Sequence, residues 1–176
     1  MKKIKVLFGI MLAVLAIGCE GPQGPPGPQG FDGLDGQDGQ DAATAEVYEQ
    51  VLNFTYDDET NTWGSEIVSF NGALESDVYI AYVSLDDGLF TSLPASLFDE
   101  FGEFQYVFDH DIDSVQFQII GDNDLSDLNV SFTDNVVTRI AIIPANLFID
   151  SNLDSKMDIL SLMDKISVTE EDIISQ

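Results

Sequence analysis

Between Leu52 and Ile143 apolar and polar side chains alternate in short stretches, the period of strands with one buried face. Leu52, Phe54 and Tyr56 share a face, with Asn53 and Thr55 opposite; Glu66, Val68 and Phe70 alternate with Ile67 and Ser69. The same pattern returns at Phe104, Tyr106 and Phe108, at Val115, Phe117 and Ile119, at Val130 and Phe132, and over Val136–Ile143 (VVTRIAII), which stops at Pro144. Residues 77–85 (DVYIAYVSL) are apolar on both faces, which predicts a central strand covered on each side. Asp86-Asp87-Gly88 reads as a tight turn, and a short run from Leu89 ends at Pro94. Seven or eight such strands, spaced by Gly, Asp and Asn, predict a mainly β protein, an antiparallel β-sandwich of immunoglobulin-like topology.

Near the end the period changes. Ile159, Leu160, Leu162, Met163 and Ile166 fall on one helical face, with Ser155 and Asp158 placed as a capping box. Thr169 and Asp172, flanked by Val168 and Ile173, repeat the capping pattern with a hydrophobic staple. The predicted organisation is a sandwich over residues 42–150 and one or two helices over residues 151–176, packed on it.

The first 41 residues are different in kind. Lys2, Lys3 and Lys5 precede an apolar run, residues 6–18, that ends at Cys19. The run is too short to span a bilayer, which needs roughly 20 apolar residues, and has the charged start and small-residue end of an export signal over residues 1–18. Cys19 is the chain's only cysteine, so the sequence has no intramolecular disulfide, thiolate zinc site or CxxC centre. From Gly21 to Asp41 the chain reads GPQGPPGPQGFDGLDGQDGQD, with glycine at Gly21, Gly24, Gly27, Gly30, Gly33, Gly36 and Gly39. A strict period of three is what the crowded axis of a collagen triple helix demands. Two readings stay open: a short triple helix that makes a homotrimer, or a hydrated spacer extending about 3.1 Å per residue, roughly 65 Å in all.

Residues 15–19 (LAIGC) resemble the lipobox of bacterial lipoproteins, with Ala16 where Leu is usual, and this resemblance assigns lipidation to Cys19 and makes residues 19–20 the mature N-terminus. Glu20 stands where an aspartate would resemble an inner-membrane retention signal, so the expected location is the outer membrane, with the leaflet open. Lipobox, triplets and the segments DDGLFTSLP, FQYVFDHDIDSVQFQI and RIAIIPANLF together resemble small collagen-like lipoproteins of Gram-negative bacteria with a distal β-rich domain. The resemblance implies a membrane-anchored protein and brings no catalytic residues or ligand with it.

Charge narrows the function. The chain has 6 basic and 32 acidic residues; without the three leader lysines, three basic residues face 32 acidic ones, a net charge of −29. Nucleic acid is excluded as a partner, because phosphate contacts need clustered Lys or Arg. A 44% hydrophobic content separates the chain from disordered acidic tails. His110, the sole histidine, lies among acids in a predicted turn; no nucleophile elbow, HExxH or dinucleotide-binding turn accompanies it, and no catalytic residues are assigned. Calcium is the better chemical candidate, since it takes oxygen ligands gathered on one loop. Asp150, Asn152, Asp154 and Asp158 have the alternate spacing of a calcium loop, but lack the glycine at position six and carry Ser161 at position twelve. Asp122, Asn123, Asp124 and Asp127, and Asp57, Asp58, Glu59 and Asn61, are the other acidic loops. Exposed, Trp63, Phe90 and Phe98 would mark an aromatic binding face, but such residues are more often core, and that is the expected reading. The functional expectation is an anchored envelope protein with a structural or interaction role toward an unidentified envelope or extracellular ligand. A calcium-dependent adhesion module is the alternative and a hydrolase the remote one.

Overall fold

In a computed structural model the described residues are 44–86 and 88–176, all within the compact unit Asp41–Gln176. Cys19 and the seven triplet glycines lie outside them. The fold is mainly β, with two largely antiparallel sheets and two short helices near the C-terminus. Its strands are β1 (Glu46–Leu52), β2 (Phe54–Asp57), β3 (Thr62–Ser65), β4 (Val68–Ser69), β5 (Val78–Asp86), β6 (Leu89–Ser92), β7 (Ala95–Phe98), β8 (Glu103–His110), β9 (Ser114–Gly121), β10 (Val136–Ile143) and β11 (Ile174–Ser175). Helices α1 (Ala145–Asp150) and α2 (Ile159–Ile166) follow β10. Sheet A runs β11-β1-β10-β5-β6 and sheet B runs β2-β3-β9-β8-β7, with β4 also on β9. All pairings are antiparallel except β1 with β11.

Alternation settles the layers. On sheet A, Tyr48, Leu52, Tyr79, Ala81, Val83, Val136 and Ile140 meet Phe54, Phe104, Tyr106, Val115, Phe117 and Ile119 of sheet B in one cluster. The opposite face of sheet A, with Val47, Ile80, Tyr82, Ala141 and Ile143, meets Ile159, Leu162, Met163 and Ile166 of α2 in a second cluster. Strand β5 feeds both, as a stretch apolar on each face must. Sheet A is therefore the middle layer, between sheet B and the helices.

Buried tyrosines pin the loops, because a phenol removed from water has to find an acceptor. Tyr79 Oη donates to the Ile112 carbonyl (2.6 Å), Tyr82 Oη to that of Met157 (3.0 Å), and Tyr106 Oη to that of Phe132. Burial raises the pKa of all three phenols above the ordinary value.

Two local expectations are corrected. Residues Val130–Phe132 form a 3-10 turn and not a strand, because the Asn129 side chain accepts from the Ser131 N–H and diverts the backbone from a ladder. Asp158 is itself the N-cap of α2, its Oδ1 accepting from Ser161 N at 2.9 Å, so the box with Ser155 does not form. Helix α1 and strand β11 were not foreseen. The Thr169–Asp172 box is present and closes a 3-10 turn, Glu170–Asp172.

The chain's single arginine joins the helical layer to sheet A. Arg139, 8% exposed at the centre of β10, donates to Glu49 on β1 and to Glu170 in the C-terminal turn. Its guanidinium carbon lies 4.3 Å from the centroid of Phe90 on β6. Burial opposes its charge, but the bonds to Glu170 and Glu49 outweigh it and hold the pKa above the ordinary value.

Candidate functional site

Both faces of sheet A are covered, whereas sheet B has one face against the core and one in solvent. On β2, β3 and β9 the core takes Phe54, Trp63, Val115, Phe117 and Ile119, so Thr55, Asp57, Thr62, Gly64, Gln116 and Gln118 fall on the outer face. The registers Thr55 with Gly64, Gly64 with Gln118, and Gln118 with Val107 set one row across four strands. A hollow of about 900 Å³ lies there, lined by hydroxyl, amide and carboxylate residues with Gly64 among them.

Local pairing explains the hollow. Strand β3 pairs with β9 only through Trp63 and Gly64, and pairing resumes at β4 with Val68 opposite Val115. Ser65 bridges the interruption: Phe117 N donates to its Oγ (3.0 Å), and Gln116 Nε2 donates to its carbonyl (2.9 Å). Gln118 Nε2 donates to Asp109 Oδ2 (3.0 Å). No lysine or arginine occurs from Thr44 to Thr138, so the whole of sheet B is without lysine or arginine side chains. Such a face repels anions and offers hydrogen-bond acceptors.

The residues singled out from sequence go elsewhere. Asp150 ends α1, Asn152 has φ of 48°, Asp154 Oδ1 accepts from Lys156 N (2.9 Å), and Asp158 caps α2. Lys165 Nζ donates to the carbonyls of Ser151 (3.4 Å) and Asn152 (3.1 Å), placing a cation of the protein's own on that loop. The hydrogen bond from Ser161 N holds the Asp158 carboxyl below its ordinary pKa. Asp124 is lowered in the same way, its largest cause being the Ser126 N–H. Among the described residues no three His, Cys, Asp or Glu side chains form a group able to hold a metal ion.

His110 is exposed and stacks on Tyr79, ring centroids 4.5 Å apart. Trp63 packs on the core and its Nε1–H donates to the Leu125 carbonyl (2.8 Å), while Asn61 receives Tyr56 Oη and Leu125 N and donates to the Asn123 carbonyl. The 122–128 loop is thereby strapped across the β2–β3 hairpin. Phe90 lies under Arg139, and Phe98 is exposed at the end of β7.

Sequence reasoning passed over Thr55, Gly64, Gln116 and Gln118. The signal for Thr55, Gln116 and Gln118 is their place as the polar partners of each alternation.

Known protein families, curated proteins and solved structures give no match to this chain. The site therefore has to be read from its own geometry.

Proposed function

We propose that the chain is a lipid-anchored envelope protein whose Gly-X-Y segment carries the two-sheet domain away from an outer membrane, and that the domain acts by binding through the open face of sheet B. Anchor and stalk rest on the sequence: a charged start, an apolar run ending at a lone Cys19, and seven triplets. The binding role rests on one structural observation, the difference between sheet A, closed on both sides, and sheet B, hollowed on its outer side at Gly64.

The test of the anchor is incorporation of labelled palmitate into the native protein. Labelling should vanish with Cys19→Ser and the protein should leave the membrane fraction; a labelled or still membrane-bound variant overturns the anchor. The solution mass of the chain from Glu20, beside one from Ala42, decides between the two stalk readings. A trimer formed only by the longer chain makes the triplets a triple helix, and monomers in both make them a spacer.

A further inference from the structure

We infer that the hollow on the outer face of sheet B binds an uncharged polyhydroxylated chain, a neutral oligosaccharide. The inference rests on the binding role proposed above and names the ligand class.

The lining excludes most other classes. It contains no aromatic or aliphatic side chain, so an apolar peptide anchor or a lipid tail finds nothing to bury against. An anionic ligand meets a face without a single lysine or arginine. A cation is drawn by the overall charge, but the lining holds only two carboxylates, Asp57 and Glu66, Asp57 Oδ1 already accepts from Glu59 N (2.9 Å), and among the described residues no metal-holding group of three forms.

What remains is hydrogen bonding. One side-chain N–H of each of Gln116 and Gln118 has a protein acceptor, which leaves the other N–H to donate and Oε1 to accept. Thr55 and Thr62 hydroxyls both donate and accept. A matching ligand brings many O–H groups that do both, in an extended array along a row of side chains, and carries no charge.

Gly64 supports a ligand rather than a folding requirement. Its φ is not positive, and a Cβ built on it would meet only Gln116 Nε2, at an ordinary 3.6 Å. A glycine inside a strand weakens it; this one stands where the β3–β9 pairing is interrupted, and the side chain it lacks leaves space for something that approaches the sheet.

The test is NMR on the isotope-labelled full chain carrying Cys19→Ser, titrated at millimolar concentration with hexasaccharides of β-1,4-glucose, β-1,4-mannose, α-1,4-glucose and β-1,4-galactose. At least one should shift the Gly64 backbone amide and the Gln116 and Gln118 side-chain amides, with little dependence on salt. Gly64→Val should weaken that binding by about tenfold or more without lowering the melting temperature, and Gln118→Ala should weaken it also. If none of the four moves those resonances, if a lysine hexapeptide moves them instead with steep salt dependence, or if both variants bind as the parent does, the inference is overturned. Binding of the lysine hexapeptide at those resonances would overturn the sugar and keep the binding role of the face, whereas no response to either kind of probe would overturn both.

Discussion

Arg139 and Glu170 meet face to face across 31 residues of sequence, Nη1 to Oε1 at 3.0 Å and Nη2 to Oε2 at 2.7 Å. The pair lies where the last turn of the chain folds back on sheet A, just before β11 docks parallel to β1 at Tyr48 and Glu49. Glu170 is 58% exposed and Glu49 stays on the guanidinium, so the pair is worth less than a fully buried one. Glu170→Ala should cost about 1–2 kcal/mol, measured by urea denaturation, and should speed amide exchange at Tyr48 and Glu49. Unchanged exchange there would show that β11 docks without the pair.

Tyr48 makes stability sensitive to alkali. Burial, then its bond to Glu46 Oε2 (2.5 Å), pushes its pKa up to about 12. A phenol that holds its proton more tightly when folded contributes stability that is complete below about pH 10, its unfolded value, and lost as pH rises through 12. Tyr82 and Tyr106, also raised by burial, act in the same direction. Denaturation curves from pH 9 upward should show falling stability, with tyrosinate absorbance appearing only on unfolding. Tyr48→Phe should fall less steeply; an equal slope would mean Tyr48 is not one of the groups responsible.

Gln50 is a polar side chain set between the sheets. It is 5% exposed, and among the described residues its Nε2 has no acceptor. Thr138 Oγ1 donates to the Gln50 main-chain oxygen (3.4 Å), a bond that does not need the side chain. Gln50→Leu should therefore stabilise by about 1 kcal/mol. A destabilised variant would mean that the amide is satisfied in solution, by an ordered water.

Charge gives the fourth prediction. With three basic residues against 32 acidic ones after residue 18, like-charge repulsion opposes compaction, and salt screens it over about 10 Å at 0.1 M. The melting temperature of the chain from Glu20 should rise from low to moderate salt, although the Arg139 pairs weaken. A flat or falling response would show that those local pairs outweigh the repulsion.

The strands were legible wherever burial is one-sided, because a period of two is imposed by the pleat itself. Residues 77–85 announced a strand covered twice, and β5 is that strand. Val130 and Phe132 misled, since two alternating apolar residues fit a strand equally well and the Asn129 side chain decided the matter locally. The six residues of α1 and the two of β11 carry too little periodicity to be read.

The sequence by itself determined the apolar run after three lysines, the lone cysteine, the triplet period, the mainly β class and the acidic charge, because each is a property of composition or local spacing. Only the tertiary structure decided which strands are neighbours: β1 beside β10, with Gln50 opposite Thr138, and β3 beside β9, with Gly64 opposite Gln118. Those pairings join residues far apart in the chain, and their choice depends on how two sheets and a helical layer share one core. The hollow follows from that choice, since Thr55, Gly64 and Gln118 become one surface only when three strands lie side by side.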